Sequence, residues 1–276
     1  MRQKVSQIGN SDLNAELDCS LHAGTPLTEA HSMNATPVRD RLRRLVPSKI
    51  KRFLRQFLPQ GLIHAKDYVG TDRTSGQLQF ELLKREGLGP GSKVLEIGCG
   101  CLHAGIPLIQ YLEKGNYVGV DPNEWLRQEA MRDRRVRQLV TDKQARFLSV
   151  DDFDASELGI KFDLVLSHSV LSHCAHGQLE QFLRNASKVI TPGGRILASI
   201  RLAQGNACGS SGTPDQEDSM HEKWQYPDVS WFRLSTITKT ADTLGLMVVH
   251  IPKYTEFYTR TRPHEFHDWV VFFWKR

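Results

Sequence analysis

The sequence lacks any apolar run near the roughly 18–20 residues that a membrane-spanning helix needs. The opening stretch, MRQKVSQIGNSDLNAELDCS, has no continuous apolar segment of the kind that marks a secretory signal. Its acids Asp12, Glu16 and Asp18 argue against an acid-poor organelle transit peptide. Cysteine is scarce: five residues, an odd number without framework spacing, which excludes a disulfide scaffold and points to a reducing, cytoplasmic setting. A strong charge of one sign is also missing. Lys and Arg total 36 against 31 Asp and Glu, for a net charge of +5. That balance permits an anionic cofactor, an acidic substrate or a membrane surface, but it is not the concentrated basic face of a nucleic-acid binder.

What the 276 residues do contain is an alternation of short apolar strands and helices, enough for one α/β domain with an extension. Residues 1–37 are polar and aperiodic and read as a disordered leader. Residues 38–67 form a basic extension. After Ser48, the residues Ile50, Phe53, Leu54, Phe57 and Leu58 share one helical face, and Lys49, Lys51, Arg52 and Arg55 occupy the rest. This stretch, 48–58, suits peripheral contact with a membrane or partner, or ordinary packing on the domain with its cations in water.

Thr74 and Gln77 have capping-box spacing at the head of a helix whose Leu78, Leu82 and Leu83 lie on one face. Strands are expected at 93–97, 117–121, 146–150, 162–168, 194–202, 247–251 and 269–274. Helices are expected at 105–114, 123–140, 177–190 and roughly 230–244. Strands this apolar, with little alternation, belong in a sheet covered on both faces. The expected fold is therefore α/β: a doubly wound, mostly parallel, seven-stranded sheet with an antiparallel C-terminal strand. The last two strands are too close in sequence for a helical crossover, hence antiparallel neighbours. Residues 203–229 are long and polar for a connection and read as a lid-like insertion.

In such a sheet ligands bind beyond the carboxyl ends of the strands. After the first expected strand stands Glu96-Ile-Gly98-Cys99-Gly100, where glycines let backbone approach a ligand. The second ends in Asp121-Pro122, an acid placed to accept from both hydroxyls of a ribose. The third leads to Asp151-Asp152-Phe153, an acid and an aromatic suited to an adenine amine and ring. The fourth ends in Ser167-His168.

The motifs VLEIGCG, YVGVDPN, VDDFD, FDLVLSHSVLSH and TPGGRIL occur in order. In this the chain resembles the class I S-adenosylmethionine-dependent methyltransferases, over roughly residues 68–276. The resemblance implies S-adenosyl-L-methionine as cofactor. Glu96, Gly98, Cys99 and Gly100 would hold its methionine part, Asp121 and Pro122 its ribose, and Asp151, Asp152 and Phe153 its adenine, with Ser167 beside it. The family pattern would place glycine at 102, where Leu102 stands. A dinucleotide fingerprint would need glycine at His103. Cys99, Cys101 and His103 lack a second pair at zinc spacing, so no metal is expected.

Methyl transfer needs an aligned acceptor and, for oxygen or nitrogen, sometimes a general base. His168 is the first candidate and His173 the second. His264 and His267 precede the last strand and could line the acceptor side; Trp224, Tyr226 and Trp231 could wall it, or simply pack the insertion. Arg127, Arg132, Arg134, Arg135, Arg137 and Arg146 could track phosphates, but a solvated flank explains them equally. No N-P-P-Y or D-P-P-Y tetrapeptide follows the fourth strand. The expected partner is thus a small molecule, or a lipid or glycan intermediate, rather than nucleic acid. The competing reading is a methyltransferase-like module without turnover that docks on a membrane or protein.

Overall fold

The computed structural model describes residues 74–209, 229–263 and 267–275. The leader, the basic stretch 48–58, Trp224, Tyr226 and His264 lie outside the described residues.

Seven strands form the main sheet: β1 (Val94–Ile97), β2 (Tyr117–Val120), β3 (Arg146–Leu148), β4 (Phe162–Ser167), β5 (Ile190–Ile200), β8 (Leu246–His250) and β9 (Asp268–Trp274). Their order is β3-β2-β1-β4-β5-β9-β8. The pairs among β1–β5 are parallel, and β9 runs antiparallel to both β5 and β8. The expected architecture is met. Strand order reverses at β1 and β4, which leaves a crevice at their carboxyl ends.

Alternate residues of each strand feed two cores. Leu95, Ile97, Val165, Ile196, Ala198 and Ile200 pack with α5 (His176–Val189) and α6 (Leu234–Thr243). Leu179, Phe182, Leu183 and Ala186 give α5 its buried stripe, spaced three and four residues apart. On the other face, Val94, Leu164, Leu166, Leu197 and Trp269 pack with α1 (Thr74–Arg85), α2 (Gly105–Tyr111) and α7 (Pro252–Thr261). Each fully buried large side chain there contributes about 1.5–3 kcal/mol, which is what holds the layers together.

Several elements depart from expectation for local reasons. The helix expected over 123–140 is two, α3 (Glu124–Ala130) and α4 (Arg134–Asp142). Asp133 breaks it: its backbone is extended and its carboxylate accepts the Arg135 N–H at 2.8 Å, capping α4. Gln77 Nε2 donates to Glu81 at 3.0 Å, one turn further along α1. The third strand stops at Leu148, and β5 begins early, at Ile190. The insertion opens and closes in a two-stranded ribbon, β6 (Ala207–Gly209) against β7 (Val229–Trp231), so the helix expected from 230 starts at Leu234.

The antiparallel placement of the last two strands is right, yet a helix does fit between them. Pro252 opens α7, where its missing N–H costs nothing, and the helix turns Tyr254 and Tyr258 inward. Ser75 Oγ and Tyr258 Oη lie 2.9 Å apart, and the Tyr254 hydroxyl donates to Glu86 at 2.5 Å. These bonds dock α7 on α1, beside the crevice. Among the described residues no helix is long and apolar enough to cross a membrane.

Candidate functional site

The loop after β1 is built for close backbone approach. Gly98 has φ +82°, and a Cβ there would sit 2.2 Å from Cγ2 of Val170. The N–H groups of Gly98 and Cys99 both donate to the Val120 carbonyl, at 2.7 and 3.2 Å. This pins the loop to the end of β2. Gly100 then donates its N–H to Asp121 Oδ2 at 2.9 Å, while Asp121 Oδ1 accepts from the Asn123 N–H at 2.8 Å. One carboxylate thus ties the glycine loop to the turn after β2, and each oxygen keeps a lone pair for a ligand. Burial raises the Asp121 carboxyl above its ordinary range, opposed by those two N–H donors and by Arg127. Pro122 is exposed beside it.

Leu102 stands where the family pattern has glycine, yet it takes the backbone conformation a glycine would, with φ 60°. Such a conformation costs a leucine on the order of 1 kcal/mol. Complete burial against Cys99 and Val136 offsets it. The departure therefore leaves the loop geometry intact. Among the described residues, three of the four non-glycine residues at positive φ (Leu102, Phe153 and Ser169) lie in the loops after β1, β3 and β4. Strain gathered at the carboxyl ends of strands is a mark of a working site.

Glu96 lies under this loop. Its Oε2 accepts the Tyr117 hydroxyl at 2.6 Å. Burial pushes the Glu96 carboxyl up to about 8; the Tyr117 hydrogen bond pulls it down, and the Asp121 charge adds to the rise. Burial also drives the Cys99 thiol well up and the Cys101 thiol up to about 11, so neither is a thiolate near neutral pH. Cys99 instead fills space over Gly119, where an added Cβ would meet its Sγ at 2.9 Å. Among the described residues no cluster of His, Cys, Asp and Glu could hold a metal ion.

Past β3, Asp151 is exposed and Asp152 half-buried. Asp152 Oδ1 accepts the Asp154 N–H at 3.0 Å, and its carbonyl accepts from Asn185 Nδ2 at 2.7 Å. Phe153 packs edge-on to Phe182 with centroids 5.7 Å apart, which fixes its ring at the rim. At the end of β4, Ser167 is fully buried and its Oγ has no hydrogen-bond partner among the described residues. Such an orphan hydroxyl is costly unless something else meets it.

His168 does not suit the role of general base. Its ring lies parallel to Trp269 at 5.5 Å, with His267 at 4.7 Å and Tyr258 at 5.3 Å. Burial, with the charges of His103, Arg262 and His173, pushes it down to about 3. So weak a base takes up no proton near neutral pH, and among the described residues its sealed Nε2 has no hydrogen-bond partner. Position after a strand suggested the role; aromatic packing removes it. His173 sits half-buried on a short 3-10 turn, Leu171–His173, against which β7 packs. His267 is buried within the same cluster. Trp231, at the end of β7, lies against the guanidinium of Arg201, 5.2 Å from centroid to Cζ. Sequence reading missed Arg201, since a lone arginine after a strand carries no local signal. It also missed Tyr258; the Tyr254–Phe257–Tyr258 spacing after Pro252 was the available hint.

Residues 95–196 match the family model of a methyltransferase domain. The fold is similar to that of a glycopeptide N-methyltransferase, at 14% identity over 73% of this chain and 90% of that one, with a TM-score of 0.54. It is similar to magnesium protoporphyrin IX methyltransferase from Synechocystis PCC 6803, solved with bound SAM: 18% identity, 88% and 100% coverage, TM-score 0.50. It is similar also to the CcbJ methyltransferase from Streptomyces caelestis, at 13% identity, 75% and 98% coverage and a TM-score of 0.50. At these identities the likeness is one of fold, and it covers nearly the whole of each relative. The matched segment, the strand order and the glycine loop agree: residues 95–196 are similar to a methyltransferase domain, and the sheet around them has the fold of these methyltransferases.

Proposed function

We propose that this protein is an S-adenosylmethionine-dependent methyltransferase that methylates an oxygen or nitrogen of a small molecule, with a lipid or glycan intermediate among the candidates. The observation that carries the reading is the Asp121 carboxylate, bonded at once to Gly100 and Asn123 at the mouth of the crevice. The residues fit the cofactor. Gly98 yields its side-chain space to Val170, and Gly100 brings bare backbone up to Asp121. Asp121, next to Pro122, retains acceptor capacity for two ribose hydroxyls. Asp151 or Asp152 would meet the adenine amine and Phe153 its ring. Ser167, fully buried at the end of β4, stands behind the crevice rather than in it. Glu96 acts from beneath, steadying the loop through Tyr117.

When bound, S-adenosylmethionine supplies the electrophilic methyl group. The chain's own part is to hold the acceptor in line and keep water out. Trp231 and the β6–β7 ribbon support one wall of the acceptor side. His173 is the candidate to take up a proton from the acceptor, while His168 orders the wall behind it. Calorimetric titration with S-adenosylmethionine tests the first half: a chain that does not bind it is not this enzyme. Release of S-adenosylhomocysteine across a panel of metabolites tests turnover and separates an enzyme from a binding module.

A further inference from the structure

Arg201 follows the last residue of β5, at the carboxyl edge beside β4. Its flanking residues Ile200 and Leu202 turn into the core that holds Phe232. Alternation therefore sends Arg201 to the opposite face, where His168 stacks on Trp269. The guanidinium is half-buried, and its Nε is sealed from water with no hydrogen-bond partner among the described residues. Among the described residues no carboxylate pairs with it. The nearest in the ladder, Asp268 opposite Ile200, is already engaged: Oδ2 accepts the Leu202 N–H at 2.9 Å and Oδ1 lies 3.3 Å from His250 Nε2. Trp231 braces the guanidinium from one side.

Half-burying a guanidinium with no counter-ion among the described residues carries a cost, and its planar fork matches an oxyanion. On that face the rings of His168, His267, Tyr258 and Trp269 pack together and offer the guanidinium no carboxylate. We infer that Arg201, braced on Trp231, is the anion-binding residue of the acceptor pocket, and that the methyl acceptor carries a carboxylate or phosphate group. This names the substrate class for the proposed methyltransferase and rests on that reading for the word acceptor; the anion site itself stands on Arg201 alone.

The test is a calorimetric titration of the full chain with inorganic phosphate and with benzoate, at ionic strength held constant by chloride. It is run with and without S-adenosylhomocysteine, and repeated on Arg201→Gln and Arg201→Lys. Saturable one-to-one binding of at least one probe is expected, at millimolar strength, weakened about tenfold or more in Arg201→Gln and less in Arg201→Lys. Binding of phosphate alone assigns a phosphorylated acceptor, and binding of benzoate alone a carboxylate. The inference is overturned if neither probe saturates, or if Arg201→Gln binds as well as the parent. A variant that melts lower yet binds the probe unchanged would also overturn it, by marking Arg201 as a packing residue. Because the probes are titrated into the parent chain directly, a variant that fails to fold does not block the result. Failure of the parent to bind S-adenosylhomocysteine counts against the methyltransferase reading, separately from the anion result.

Discussion

Tyr117 on β2 donates its hydroxyl to Glu96 on the neighbouring β1 at 2.6 Å, with both side chains buried beneath the glycine loop. The pair is a polar island in an apolar core, and its partners satisfy each other. Removing one strands the other.

Tyr117→Phe should therefore destabilise the fold by about 1–3 kcal/mol. The loss should grow with pH. Burial holds Glu96 at about 8, above its ordinary 4.5, so between these values the folded chain binds more protons than the unfolded one and stability falls as pH rises. Without the Tyr117 hydroxyl the carboxyl rises further, so urea unfolding at about pH 5 and about pH 9 should show the larger deficit at the higher pH. Glu96→Gln should flatten the slope. Equal deficits at both pH values would refute the account.

Asp121→Ala should weaken S-adenosylhomocysteine binding about 100-fold or more, because it removes two charged acceptor atoms from the ligand and frees Gly100 from its anchor. Asp121→Asn should also lose affinity, since one amide oxygen cannot serve both Gly100 and Asn123. Calorimetry reads both variants, and an affinity unchanged in either would remove Asp121 from the pocket.

Gly98→Ala should cost more than the roughly 1 kcal/mol of a left-handed alanine, because the new Cβ meets Val170 Cγ2 at 2.2 Å. Val170→Ala on that background should recover part of the loss by removing the clash, leaving the backbone strain. A double-mutant cycle on thermal stability measures the coupling. Strict additivity would mean that the two residues do not meet.

His168 should show no titration between about pH 5 and about pH 8 in histidine ring NMR spectra, since its pKa lies near 3. Its folded value is below its ordinary 6.5, so from about 6.5 down to about 3 the unfolded chain binds the extra proton and stability falls with acid. His168→Phe keeps a ring against Trp269 and should make the fold less acid-sensitive. A His168 signal that shifts near pH 6 would restore it as a candidate base.

The strand and helix alternation was legible because each element carries its own apolar pattern within a few residues. The glycine loop and Asp121 were legible because their residue types at the ends of strands have few other uses. Asp133 also left a local sign, a capping residue in the middle of an apparent helix, yet the longer apolar period hid it. Leu102 was readable as a departure from a pattern but not as a residue that adopts a glycine's conformation, because burial against Val136 decides that.

By itself the sequence determined the doubly wound sheet and the crevice-side acids, since backbone geometry and hydrophobic period act locally. Tertiary structure decided the rest. Ser75 meets Tyr258 across 183 positions of chain, and Arg195 meets Glu86 across 109. Whether His168 is a base, or Arg201 has a counter-ion, depends on which distant side chains exclude water from it. Charge and basicity are set by surroundings, and surroundings come into being only when the chain has folded.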